Sequence, residues 1–162
     1  MKTKHRNQAA TKRLFRTQYQ RDPGAIGRVF LGVRQIEPKQ AAEIEMPVRL
    51  AFEDMRNGNG SDADFYALVS AINIAAARSH SISPECVAVC HAAMDGMQRA
   101  QDRHARIGRW GFDGPALADI AACLDLFSQV VGMSTCGQIL DSIQRVARGV
   151  RSGNMVVSEL AA

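Results

Sequence analysis

The chain has 162 residues, enough for one ordinary domain with a substantial buried core, and too few for a multi-domain machine. Its composition, 46% apolar and 22% charged, excludes wholesale disorder and collagen-like or low-complexity structure. The net charge of +4 averages two unlike regions. Residues 1–34 hold nine Lys or Arg against one acid, Asp22, a net of +8, whereas the remainder carries eleven basic and fifteen acidic side chains, a net of −4.

Residues 5–20 have only Leu14, Phe15 and Tyr19 among basic and amide side chains, too narrow an apolar stripe to hold a helix on a core. This stretch reads as an arm, or as a helix formed on contact. Asp22-Pro23-Gly24 is a turn signal, and the spacing of Ile26, Val29, Phe30 and Val33 predicts a short helix over 25–36. Pro47 is expected to end or kink any helix through it, giving a turn before it and a helix over 47–56 with Val48, Leu50, Ala51 and Met55 inward.

Asn57-Gly58-Asn59-Gly60 is a loop, and Ser61 with Asp62 and Asp64 has the chemistry of a helix N-terminus. The helix it opens carries Phe65, Leu68, Val69, Ile72 and Ala76 on one face and runs to about His80. Ser83-Pro84-Glu85 starts another, with Val87, Cys90, Met94, Met97 and Ile107 in its stripe, ending at Gly108. Gly108 to Gly114 is a glycine-bracketed aromatic loop. Pro115 restarts a helix with Leu117, Ile120, Ala121, Leu124, Phe127 and Val131 inward. Thr135 and Gln138 have capping-box spacing before a last helix through Ile139, Ile143, Val146, Ala147 and Val150 to Gly153.

With twenty-four alanines and no alternating run strong enough for a sheet, the pattern predicts an all-α fold. Its division is a basic arm and short helix over 1–34, a bundle of four to five main helices over 35–153, and a flexible tail over 154–162. The polar start lacks the apolar core of a secretory signal, and no transmembrane segment is expected, so the chain reads as cytosolic. The four cysteines are then expected as free thiols, and no cofactor is implied.

The strongest functional signal is the arm. Lys2, Lys4, Arg6, Lys12, Arg13, Arg16 and Arg21 can neutralise phosphates and release counterions, and interleaved aromatic rings can stack on exposed bases. DNA or RNA is therefore one target. The alternatives are a solubilising tail and an arm that meets the acidic body of another copy, which makes a homo-oligomer the expected assembly. Arg109, Trp110 and Phe112 are candidate partner-binding anchors, because aromatic and Arg side chains on loops serve that role, and the alternative function is a protein-interaction module, a subunit, adaptor or inhibitor of a host factor, that uses this loop or an exposed helix face; the bland alternative for the loop is that the rings fold back to plug the bundle.

Cys86, Cys90 and His91 suggest a metal site, since thiolates at i and i+4 share a helical face. His91 is rotated about 100° from Cys90, however, and no second ligand pair with finger-like spacing follows. Packing is the better reading. His91 and Asp95 lie four residues apart but have no nucleophile motif around them, and Asp119, Asp125 and Asp141 define no paired-carboxylate site, so no catalytic residues are assigned. Arg99, Arg103 and Arg106 form a basic stripe that reads as a solvated face with local ion pairs to Asp95 and Asp102.

Two segments, Met46-Pro-Val-Arg-Leu-Ala-Phe-Glu-Asp-Met-Arg-Asn-Gly58 and Gly108-Arg-Trp-Gly-Phe-Asp-Gly-Pro-Ala-Leu117, resemble a group of small helical proteins encoded in phage- or plasmid-derived regions of proteobacterial genomes. The resemblance spans roughly residues 40–150. It implies an accessory protein of a mobile element and supplies no activity or site residues.

Overall fold

The computed structural model describes residues 32–151, which form an all-α bundle of five helices. They are α1 (Pro38–Arg56), α2 (Asp62–Ser79), α3 (Pro84–Ile107), α4 (Gly114–Met133) and α5 (Cys136–Arg151). The seven arm residues from Lys2 to Arg21, most of the predicted 25–36 helix and the 154–162 tail lie outside the described residues.

The helix starts follow local chemistry. Ser61 Oγ accepts the Asp64 N–H while the Asp64 carboxylate accepts the Ser61 N–H at 2.8 Å, a reciprocal cap on α2. Ser83 caps α3 through the Cys86 N–H at 3.2 Å, and Asp113 caps α4 through the Ala116 N–H at 2.7 Å. Thr135 and Gln138 exchange bonds at the start of α5. Gly108 ends α3 at φ 68°, a left-handed conformation that glycine adopts without steric cost.

Around α2 the other four helices pack. Phe65, Leu68, Ala71, Ile72, Ala75, Ala76 and Ala77 are all buried, and from Ala71 onward the helix has no exposed face, whereas Ala63, Tyr66 and Ser70 leave one side of its first half open. Its run of alanines keeps the cylinder thin, so neighbours approach closely. The α3–α4 pair is closer still in one place: a Cβ added to Gly96 would stand 3.1 Å from Ala116 Cβ.

Three expectations need correcting. The helix predicted to begin at Pro47 begins at Pro38, and α1 runs through Pro47. Pro38 occupies the first turn, where its missing N–H costs nothing, and Glu37 and Gln40 close a capping box. Pro47 itself is exposed, while Ala51 and Met55 fasten the helix to the core beyond it. Leu50, expected inward, is 60% exposed.

The predicted helix to Ile36 stops short of it. Gln35 forms a single antiparallel bridge with Thr135, the Ile36 N–H donates to Ser134 O, and the Cys136 N–H donates to Arg34 O. Residues 34–36 are thus drawn out alongside the α4–α5 corner, with Ile36 buried. Gly32 reaches the same corner: a Cβ on Gly137 would lie 2.6 Å from its carbonyl oxygen.

α4 is long and apolar enough to cross a membrane by length and composition alone, a test that the core helix of a soluble protein also passes. In the fold, Ala116, Ile120, Cys123, Leu124, Phe127, Val130 and Val131 of this helix are buried. Its two acids face elsewhere, Asp119 toward Arg99 at 3.7 Å and Asp125 toward Arg49 at 3.4 Å. Arg49 also donates to Ser128 at 2.9 Å, tying α1 to α4.

The Gly137 contact is backbone against backbone and cannot yield by a side-chain rotation. Gly137→Ala should therefore destabilise the protein by about 1–3 kcal/mol, read by thermal or urea unfolding. Amide exchange at Ile36 and Cys136 should accelerate more than at the α2 amides.

Candidate functional site

The 108–113 loop is held against the bundle from three sides. Trp110 is half-buried, its ring stacked on Phe65 at 4.5 Å between centroids and on His104 at 4.0 Å with an interplanar angle of 2°. Its Nε1–H donates to Asp62 Oδ1 at 2.8 Å. Phe112 stacks on Phe52 at 5.8 Å, and Gly111 is buried near the Met55 carbonyl. The two rings close the end of the bundle where α1 meets α2 and α3 meets α4. Trp110 and Phe112 are committed to that packing, so of the three candidate partner anchors only Arg109 is exposed.

Beside the plug, Arg99, Asp102, Arg103, Arg106, Ile107, Gly111 and Asp113 line an open groove of about 650 Å³. The local pairs expected with Asp95 and Asp102 are not the ones that form. Arg99 instead reaches across to α4, bonding Asp113 at 3.1 Å and approaching Asp119 at 3.7 Å. Arg103 donates to the Phe112 carbonyl at 3.5 Å. The Ala116 N–H, with the guanidiniums of Arg99 and Arg103, holds the Asp113 carboxyl below the usual carboxylate range despite a small opposing effect of burial.

At the opposite end, Arg78 donates from Nε to Ser134 Oγ at 3.2 Å and bonds Ser81, bracing the α2 C-terminus against the α4–α5 corner. A second groove of about 290 Å³ runs there between α2 and α5, with Arg78, His80, Gln138, Asp141 and Arg145 among its walls.

Cys86, Cys90 and His91 do not converge. Cys90 is buried, Cys86 is half-buried and His91 is exposed, and no three His, Cys, Asp or Glu side chains form a metal-holding group among the described residues. The structure instead brings Cys90 together with Cys123 of α4, their sulfurs 3.8 Å apart and both side chains fully buried. The Cys123 thiol faces Cys90 as donor, which favours a thiolate at Cys90 and holds the proton on Cys123, whose ionisation burial also opposes. Ser79 Oγ, fully buried at the end of α2 beside Cys90, makes no hydrogen bond of ordinary geometry. Sequence spacing could not reveal this cluster, because its members come from three helices.

The last helix carries its own anomaly. At about 100° per residue, Ile139, Ser142, Val146 and Gly149 face the body, while Cys136, Leu140, Ile143 and Ala147 form a line roughly 110° round the helix. Leu140 is 56% and Ile143 42% exposed, so part of the apolar face lies outside the core.

Compared with known proteins, the chain matches no protein-family model, no curated protein and no solved structure.

Trp110→Ala should cost about 2–4 kcal/mol in urea unfolding, because it removes both stacks and leaves a gap over Phe65. Trp110→Phe, which keeps a ring but loses the bond to Asp62, should cost about 1 kcal/mol. Asp113 stays ionised to lower pH in the folded protein than in the unfolded chain. Its contribution is thus present above the ordinary carboxylate range and lost as pH falls through the depressed folded value. Asp113→Asn preserves a capping oxygen but not the charge, and should flatten this part of the acid side of a stability–pH profile.

Proposed function

We propose that this protein is a non-enzymatic accessory or regulatory protein of the cytosol that contacts DNA or RNA through Lys2, Lys4, Arg6, Lys12, Arg13, Arg16 and Arg21. The observation that carries this reading is the separation of charge along the chain: +8 over residues 1–34 and −4 over the rest. Such a segment gains affinity by displacing counterions from phosphates, while an acidic body keeps the remainder of the surface from competing for the same strand. The resemblance to proteins of mobile elements fits this role, since it carries an accessory function and no catalytic motif.

One observation favours a second reading, in which the protein works through a protein contact. The Leu140–Ile143 stripe of α5 is apolar, exposed and set off the face that packs on the body. Self-association through that stripe would make the assembly a homo-oligomer. With Trp110 and Phe112 packed inward, an exposed helix face serves this reading better than the aromatic loop.

Binding of labelled duplex DNA and single-stranded RNA measured from 50 to about 300 mM salt tests the first reading. Affinity should fall steeply with salt, and replacing Lys12, Arg13, Arg16 and Arg21 by Gln in the full chain should reduce the log–log slope by about three to four. Affinity and slope unchanged in that variant, or salt-insensitive binding by the unaltered chain, would overturn it. For the second, Leu140→Glu with Ile143→Glu should lower the mass measured by light scattering at high concentration; an unchanged mass counts against it.

A further inference from the structure

We propose that Cys90 and Cys123 form an oxidisable dithiol that closes to a disulfide between α3 and α4 when the protein meets a hydroperoxide. The sulfurs already stand 3.8 Å apart, and neither side chain is exposed to solvent. A disulfide needs its Cα atoms within about 7 Å, which few helix pairs allow, because ordinary interaxial distances are 8–10 Å. This pair is an exception for a reason visible nearby. A Cβ on Gly96 would lie 3.2 Å from Ala116 Cα, so the two backbones nearly touch. Cys90 and Cys123 sit about two helical turns or less along the same antiparallel seam. Closing the bond therefore calls for side-chain rotation and a small approach, with no rearrangement of the bundle.

The surroundings also assign an order to the two sulfurs. The otherwise unpartnered Ser79 hydroxyl lies on the Cys90 side of the pair. A thiolate forming on Cys90 would give Ser79 the acceptor it lacks. Cys90 is thus the attacking sulfur: its S–O bond to hydrogen peroxide forms as the O–O bond breaks, and the departing hydroxide takes up a proton as water. Cys123 then attacks the resulting sulfenic acid; the S–S bond forms, the S–O bond breaks, and the hydroxyl leaves as water with the Cys123 proton. Two thiols and one peroxide become one disulfide and two waters. A small oxidant matters here, because both sulfurs lie beneath the surface.

The residues joined are 33 apart, and the loop so closed contains the whole Trp110 turn. The disulfide would hold α3 to α4 without relying on the Trp110 packing and independently of what the basic arm binds.

The test uses the full chain and its Cys86→Ser/Cys136→Ser variant, each treated with hydrogen peroxide while folded, quenched, unfolded in an alkylating agent and mapped by mass spectrometry. Both should yield a species two hydrogens lighter with a peptide linking Cys90 to Cys123. Its unfolding midpoint should rise by roughly 5–10 °C and return on reduction. Cys90 and Cys123 both remaining alkylatable, at a peroxide dose that converts a free dithiol peptide, would overturn the proposal. So would conversion to sulfinic or sulfonic acids, or to disulfides between chains, without the internal link.

Discussion

A helix enclosed on every side over its second half, from Ala71 to Ser79, sets the terms for the rest of this molecule. Leu68, Ile72, Ala75 and Ala76 of α2 are wholly shielded from solvent, and Phe65, Ala71 and Ala77 nearly so. From Ala71 to Ser79 the helix turns no exposed face to solvent and takes Asn73 and Ser79 into the interior, its first half exposes the line of Ala63, Tyr66 and Ser70, and its capping bonds gather at the two ends. Those ends are where the structure spends its hydrogen bonds: Ser61 and Asp64 at one, Arg78 with Ser134 and Ser81 at the other. α1, α3, α4 and α5 all pack about α2 and leave that one line uncovered.

The two ends of the bundle are finished differently. At the α1–α2 and α3–α4 end, Trp110 and Phe112 act as a lid of aromatic rings over Phe65 and Phe52. Their loop is fixed by polar contacts at its edges, through Asp62 to Trp110 and through Arg99 and Arg103 around Asp113. At the other end the chain entering α1 lies against the α4–α5 corner by backbone pairing, and Gly137 permits the approach. Between the ends, the lack of a side chain at Gly96 draws α3 onto α4 and brings two buried thiols into contact. The plug and the dithiol thus belong to the same helical hairpin, one at its turn and the other deeper along its seam.

The bundle fixes which side chains are available at its surface. The aromatic loop, which composition marks as a natural docking element, spends its rings internally. Among the features the bundle leaves outward are the Arg106–Arg109 corner beside the α3–α4 groove, the groove between α2 and α5, the Met46 and Leu50 side chains of α1 and the Leu140–Ile143 stripe. The segment 1–34 holds nine of the chain's twenty Lys and Arg against one acid, and the proposed contact with a nucleic acid rests on that clustering of charge in the sequence.

Much of the architecture was legible from residues alone, because its signals are local. Caps at Ser61, Ser83 and Thr135 act over three residues, and the stripes of α2 and α4 repeat over four, so a linear pattern carries them. Pro47 misled because its cost is local while the anchoring of Ala51 and Met55, which holds α1 together around it, is not. Leu50, Ile107 and Ile143 fit apolar periodicities yet stay exposed, since periodicity fixes which face is apolar but not how far a neighbour extends over it. The sequence by itself determined an all-α fold, most helix boundaries and the segregation of charge, all properties of neighbouring residues. Only the tertiary structure decided that Trp110 plugs the bundle, that Arg99 pairs across to α4 and that Cys90 meets Cys123. Each of those contacts joins separate elements, and such distances exist only once the helices have packed.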